Sequence, residues 1–147
     1  MNREGRLLES DDDLRSLVRG LRRVAVLGIR SERFADRPAH YVPAALAAAG
    51  VAIAPVSLHE PEVHEILGAP VHRALGEIAG PIDLVNVFRR AEDLPAHLDA
   101  LLALRPPAVW LQSGIRDDDF ARALTRAGID VVQDRCLMVD HRRMTRA

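Results

Sequence analysis

The sequence predicts an α/β fold, in which helices cover both faces of a doubly wound, mainly parallel sheet of about five strands. Two observations lead to this prediction. Short apolar runs alternate along the chain with segments whose apolar residues repeat at helical spacing, and Gly or Pro separates many of them. The chain has 147 residues, which is enough for one such domain and too few for two.

Residues 1–22 are predicted to form an N-terminal helical extension of this single domain, which itself covers residues 23–147. Ser10 followed by Asp11, Asp12 and Asp13 is typical of a capped helix start, because acidic side chains favour the first turn. The first strand is predicted over residues 24–29, where an unbroken apolar run indicates a strand covered on both faces.

The remaining elements follow in alternation. Helices are predicted over residues 38–49, 91–104, 117–127 and 136–144, and strands over residues 51–56, 82–88, 108–111 and 129–132. Residues 57–68 form a polar stretch, and residues 70–75 are predicted as a short edge strand, where a proline at the start is tolerated.

Ligands of doubly wound sheets bind beyond the carboxyl ends of the strands. In this chain those ends carry residues 28–31, 56–57, 88–90 and 112–114. A dinucleotide with its usual glycine-rich turn is not expected, because a G-x-G-x-x-G register beginning at Gly28 places Arg30 and Arg33 where the other two glycines belong.

The first loop offers a different chemistry. A glycine turn, the Ser31 hydroxyl and the cations Arg30, Arg33 and Arg37 precede a helix N-terminus, and Arg89 and Arg90 follow a neighbouring strand. Backbone N–H groups and arginine forks suit a ligand with several phosphate groups. The alternative is that these arginines are solvated surface residues.

Composition excludes several function classes. The net charge of −1 argues against a dedicated nucleic-acid binder, and all twenty basic residues are Arg, so a Schiff-base or P-loop lysine is absent. A single cysteine, no apolar segment of signal-peptide type near the N-terminus and no long apolar run predict a cytoplasmic protein without a membrane span.

Several segments resemble the family of small, stand-alone CoA-binding domains, and they occur in the family's order. They are Val24-Ala-Val-Leu-Gly28, Arg37-Pro38, Pro55-Val56, Ile66-Leu-Gly68, Asp83-Leu-Val-Asn-Val-Phe-Arg-Arg90, Val109-Trp-Leu-Gln-Ser-Gly-Ile-Arg116, Asp134-Arg-Cys136 and the later His141. The Phe-Arg-Arg and Trp-Leu-Gln-x-Gly segments are the specific ones. The resemblance implies a Rossmann-like fold similar to the CoA-binding domain of the succinyl-CoA synthetase alpha subunit.

The resemblance also implies a ligand, CoA or an acyl-CoA, lying across the strand ends. In that arrangement Gly28, Ile29, Arg30 and Ser31 hold phosphates and Arg37 and Pro38 close the loop; Pro55, Val56 and Ser57 border the adenosine part, Val87, Phe88 and Arg89 the far side, and Gln112 and Gly114 the pantetheine arm. The chain departs from the family at Ala39, often Ser, and at Ser57-Leu58, often Asn-Pro. A lost hydroxyl or amide weakens ligand hydrogen bonding by about 1 kcal/mol each.

The remaining candidates are interpreted as structural. His59, Glu60, Glu62 and His64 are taken as ordinary loop polarity, so no metal site is predicted. Cys136 is taken as a buried thiol because no nucleophile, base and orienting group can be assembled from sequence.

The leading hypothesis is therefore binding without catalysis. An enzyme acting on a nucleotide- or CoA-linked substrate, with Cys136 or His141 at the pocket, and an interaction subunit of a larger CoA-dependent partner remain as alternatives. The oligomeric state is left open.

Overall fold

The computed structural model describes residues 3–146 and contains a five-stranded parallel sheet, which confirms the predicted fold class. Its strands are β1 (Arg23–Leu27), β2 (Ala52–Val56), β5 (Leu84–Val87), β6 (Ala108–Leu111) and β7 (Asp130–Val132). Two further strands, β3 (Glu65–Ile66) and β4 (Ala69–Pro70), form a separate antiparallel hairpin. Among the described residues, no helix has the length and apolarity needed to cross a membrane.

The order of strands across the sheet is β2-β1-β5-β6-β7. From β1, which lies inside the sheet, the chain moves outward to β2 and then crosses back to β5 on the other side of β1. Helices α1 (Asp11–Arg19), α2 (Pro38–Ala48) and α5 (Leu137–Met144) pack on one face, and α3 (Leu98–Leu104) and α4 (Asp118–Arg126) on the other. Because α2 and α3 leave their strands on opposite faces, a crevice opens between the carboxyl ends of β1 and β5.

Alternation along each strand divides the core into two layers. On β1, Val24 and Val26 pack under α1, α2 and α5, whereas Ala25 and Leu27 pack under α3 and α4. Successive side chains of a strand point to opposite faces, so a strand covered on both sides is apolar throughout. All four of these side chains are buried, as the unbroken apolar run predicts.

The N-terminal segment is tied to the sheet before the first helix begins. Leu8 N–H donates to the Val131 carbonyl at 2.9 Å, and Val131 N–H donates to the Arg6 carbonyl at 2.9 Å, so residues 6–8 pair with the β7 edge. The predicted cap is confirmed, because the Ser10 hydroxyl accepts from Asp13 N–H at 3.2 Å. The exposed edge of β7 is thereby covered.

Two predicted elements are wrong in their extent. Residues 91–104 form an α-helix only from Leu98; Ala91–His97 is a 3₁₀ helix that contains Pro95, which lacks an N–H and clashes with an α-helical turn. Residues 70–75 do not form an edge strand, since the backbone turns back as the β3–β4 hairpin and only His72 bridges β2, at Val56.

Candidate functional site

A cleft of about 850 Å³ opens at the carboxyl ends of β1, β5 and β6, at the crevice that the strand order creates. This volume lies within the range of small-molecule sites. Of the residues predicted to bind the ligand, those that line the cleft are Gly28, Arg30, Arg37, Pro38, Phe88, Arg89, Gln112 and Gly114. The tertiary structure thus brings together parts of three loops, which begin at Gly28, Phe88 and Gln112 and are therefore separated by 24 to 84 residues in sequence.

The other predicted site residues do not line the cleft. They are Ile29, Ser31, Pro55, Val56, Ser57 and Val87, and all of them are buried. Pro55 and Val56 lie within β2 in register with β1, so their side chains belong to the sheet core. The Ser57 hydroxyl has no hydrogen-bond partner among the described residues, although only 1% of this residue is exposed.

The loop after β1 uses most of its backbone N–H groups within the protein. Gly28 N–H donates to the Val56 carbonyl at 3.0 Å, Arg30 N–H to the Ala39 carbonyl at 3.1 Å, and Ser31 N–H to the Glu60 carboxylate at 2.9 Å. These three groups are therefore not available to a phosphate without rearrangement. Side chains, chiefly the arginines, carry the hydrogen-bond donors that this loop presents to the cleft.

Glu60 is the buried anchor of this loop. Only 3% of the residue is exposed, and its carboxylate accepts from the Ser31 hydroxyl at 2.6 Å and from Ser31 N–H, while Arg30 Nε lies 3.5 Å away. Burial raises the pKa of the Glu60 carboxyl, but the Ser31 hydrogen bonds and the Arg30 charge together outweigh it, so the pKa lies below its usual value. Sequence reasoning missed this role, because a polar loop residue carries no signal that its partner lies 29 positions away.

Two arginines share one aromatic ring at the β1 side of the cleft. The guanidinium of Arg30 lies 4.1 Å from the centre of the Phe34 ring, and that of Arg37 lies 4.8 Å from it. Arg37 forms no ion pair within residues 3–146, and as the N-cap of α2 it makes no side-chain capping hydrogen bond. An anion at this helix start would meet an unneutralised cation and the positive end of the helix dipole.

Arg89 occupies the opposite side of the cleft between two histidines. Its Nε donates to His97 Nε2 at 3.1 Å, and its Nη1 lies 3.0 Å from His59 Nε2. Arginine has no acceptor, so in these two contacts Arg89 donates and the Nε2 atom of each imidazole accepts. Burial and the nearby Arg89 charge lower the pKa of His97, while Asp93, 3.7 Å from Arg89, opposes this effect.

The charge of the cleft differs from that of the whole chain. Four arginines and one glutamate line it, whereas the chain carries a net charge of −1. Arg90 pairs with Asp93 at 3.0 Å and with Glu92 at 3.2 Å. Of the three cleft arginines that form ion pairs, Arg30, Arg89 and Arg90, the last is the most exposed. The fold and the cleft define a doubly wound α/β protein with an arginine-lined cleft at its switch point.

The chain belongs to the CoA-binding domain family, whose model, described as "CoA binding domain", matches residues 22–142. It is 37% identical over 132 residues to the uncharacterized protein YneT of Bacillus subtilis, which covers 90% of this chain and 94% of that protein. A solved protein of Thermus thermophilus is 43% identical with a TM-score of 0.85, over 92% of this chain and 99% of the other. A hypothetical protein from Pyrococcus horikoshii shares the fold at 23% identity and a TM-score of 0.82, over 92% of each chain.

Other chemical candidates lie apart from the cleft. Cys136 is the N-cap of α5 and His141 lies on the same helix, and neither lines the cleft. Burial lowers the pKa of His141. Within residues 3–146 there is no group of three or more His, Cys, Asp or Glu residues placed to hold a metal ion. His59 is instead bonded to Arg89, and Glu60 to Ser31.

Proposed function

We propose that this protein binds CoA or an acyl-CoA in the cleft at the carboxyl ends of β1, β5 and β6. The observation that carries the proposal is the convergence of four arginines on the switch point of a CoA-binding domain family fold. Three of them pair with Glu60, Glu92 or Asp93, and Arg37 forms no ion pair within residues 3–146. CoA is a polyanion with a long neutral arm, and arginine forks are well suited to phosphate groups. The proposal concerns binding alone, because neither Cys136 nor His141 lines the cleft.

The phosphates would lie between the two sides of the cleft. Arg30 and Arg37 approach from the β1 loop, Arg89 approaches from the β5 loop, and the uncapped start of α2 adds its dipole. The Glu60–Ser31 contacts hold the β1 loop in place, so the arginine stems start from a fixed backbone. The adenosine contacts expected of Pro55, Val56 and Ser57 gain no support, because these residues do not line the cleft.

Ala39 provides a test by gain of affinity. It lines the cleft in the first turn of α2, and its carbonyl accepts from Arg30 N–H, so a side chain added here would not disturb that hydrogen bond. We expect Ala39→Ser to restore a hydroxyl near the phosphates and to tighten CoA binding about fivefold, since a neutral hydrogen bond contributes about 1 kcal/mol.

Isothermal titration calorimetry with CoA, acetyl-CoA, ATP and NAD tests the proposal directly. We expect saturable binding of the CoA species and a loss of about tenfold or more in Arg37→Ala and Arg89→Ala, because a charged hydrogen bond contributes about 1.5–3 kcal/mol.

Arg122→Ala is the matched control. Arg122 pairs with Asp119 on the exposed surface of α4 and does not line the cleft, so its removal should leave CoA affinity unchanged. A protein that binds no CoA species at millimolar concentration, or that binds NAD more tightly than CoA, would contradict the proposal.

A further inference from the structure

Protein groups contact all three guanidinium nitrogens of Arg89. Its Nε donates to His97 at 3.1 Å, its Nη1 lies 3.0 Å from His59 Nε2, and its Nη2 lies 3.7 Å from an Asp93 carboxylate oxygen. Because Nε is taken, a phosphate that accepts from two nitrogens of this guanidinium has only Nη1 and Nη2 left. Such a ligand meets His59 at Nη1.

The two imidazoles that flank Arg89 differ in their access to the cleft. His59 is exposed and lines the cleft, and its ring forms no other hydrogen bond within residues 3–146. His97 is half-buried at the end of the 3₁₀ helix and does not line the cleft. The backbone beside His59 is held in place, because the next residue, Glu60, is buried and hydrogen-bonded to the β1 loop. An anion bound at Arg89 from the cleft therefore meets His59 first.

An anion at Nη1 changes what the His59 ring has to do. In the contact with Arg89, His59 Nε2 is the acceptor, because arginine has only donors. A phosphate oxygen that also accepts from Nη1 would face this nitrogen, and two acceptors side by side repel each other. A proton on Nε2 makes the ring a cation and a donor, so the repulsion is replaced by a charge-assisted hydrogen bond to the oxygen.

Resting on the proposed function, we infer that His59 exchanges Arg89 for a phosphate group of a CoA-type ligand and takes up a proton from solvent as it does so. A polyanion beside the ring favours its charged form. The complex then holds more protons than the free protein, so affinity rises as the pH falls. The other charged or titratable groups that line the cleft or contact Arg89 are Arg30, Arg37, Arg90, Glu92, Asp93 and His97.

Calorimetric titration of the whole protein with CoA at several pH values between about 6 and about 8 tests the inference. His59→Gln is the test variant, because a glutamine amide can accept from Arg89 and donate to a phosphate without titrating. We expect the ratio of wild-type to variant affinity to rise about fivefold from about pH 8 to about pH 6, since one linked proton changes affinity by at most about tenfold per pH unit. The CoA phosphate monoester titrates in the same range, but this contribution is common to both proteins.

The proton itself is measured by repeating the titration in two buffers of different ionisation enthalpy. Neither buffer is phosphate, which would compete for the cleft. The difference between the two binding enthalpies gives the number of protons taken up. We expect the wild type to take up a larger fraction of a proton than His59→Gln at the same pH.

His64→Gln is the matched control. His64 is an exposed histidine in the loop between β2 and β3, as His59 is, but it does not line the cleft. This variant should keep both the CoA affinity and the pH dependence of the wild type.

Two outcomes would overturn the inference while leaving the proposed function intact. One is a pH dependence of CoA affinity that is the same in His59→Gln as in the wild type. The other is a pH dependence that disappears in His97→Gln and persists in His59→Gln, which would place the proton on the half-buried ring. A wild-type protein that binds no CoA at any pH in this range would overturn the proposed function, and this inference with it.

Discussion

Gly28 joins β1 to the loop that follows it, and two separate constraints require a glycine at this position. Its φ of +89° is one that other residues rarely adopt, and a Cβ at this position would lie 2.4 Å from the Phe88 carbonyl oxygen. Gly50, with a φ of +95°, shares the first constraint, but a Cβ there would have no neighbour within 4 Å. Gly28→Ala and Gly50→Ala therefore differ chiefly in the close approach of the β1 and β5 loops.

The magnitudes follow from these geometries. An alanine at positive φ is unfavourable by about 1–2 kcal/mol, which is the whole effect expected for Gly50→Ala. The contact at Gly28 is with backbone, which cannot rotate away as a side chain can, so overpacking adds about 1–3 kcal/mol. We expect Gly28→Ala to lower the free energy of unfolding by about 3 kcal/mol and Tm by about 6–12 °C.

Urea unfolding and thermal unfolding, both followed by circular dichroism, measure the two variants side by side. Gly50→Ala should lower Tm by about 3–6 °C, roughly half the effect of Gly28→Ala. Equal losses of stability in the two variants, within about 0.5 kcal/mol, would refute the reasoning, because the approach of Phe88 would then contribute nothing.

Three further predictions concern titratable groups that are buried, as Glu60 and Asp140 are, or half-buried, as His97 is. Glu60→Gln should lower the free energy of unfolding by about 2 kcal/mol, because one Ser31 donor loses its acceptor. Because folding lowers the pKa of Glu60, the extra stability of the wild type over this variant is full above pH 4.5 and is lost as the pH falls through the folded-state pKa. Urea unfolding of both proteins across that pH range measures this difference. Folding lowers the pKa of His97, so its contribution to the free energy of unfolding is full above pH 6.5 and is lost as the pH falls through the folded-state pKa. The Tm of His97→Gln should therefore decline less steeply below pH 6.5 than that of the wild type. An unchanged pH profile of Tm would contradict this. Asp140 is only 3% exposed and accepts two hydrogen bonds from Arg135, at 2.6 and 2.8 Å. Asp140→Ala should therefore lower the free energy of unfolding, measured by chemical denaturation, by about 3 kcal/mol. A loss below about 1 kcal/mol would show that this ion pair contributes no more than an exposed surface pair.

Local patterns were sufficient for most of the fold. The apolar run of β1, the Ser10 cap and the alternation of strands with helices all appear in the structure close to where the sequence places them. The errors fall where local patterns compete. Pro95 converts half of an apolar helical repeat into a 3₁₀ helix, and the segment after residue 68 turns back as a hairpin instead of extending along the sheet.

The candidate site was predictable in part, because residues that follow parallel strands share one edge of a sheet. This rule placed Gly28, Phe88, Arg89 and Gln112 around a common cleft. It does not tell which way a loop side chain turns. Ser31 faces Glu60 instead of the cleft, because that buried carboxylate accepts from both its hydroxyl and its N–H.

The sequence by itself determined the elements, the loops that meet at the cleft and the excess of arginine in those loops, because each depends on neighbours in the chain. Only the tertiary structure decided which donors remain free for a ligand. The partners of Arg89 and of Gln112 are set by strand order and by hydrogen bonds between distant segments: His59 is 30 residues from Arg89, and Leu137 is 25 residues from Gln112. The loop after β1 shows the same dependence on distant segments. The N–H groups of Gly28, Arg30 and Ser31 donate to β2, α2 and Glu60, so the arginine side chains are the main donors that this loop presents to the cleft.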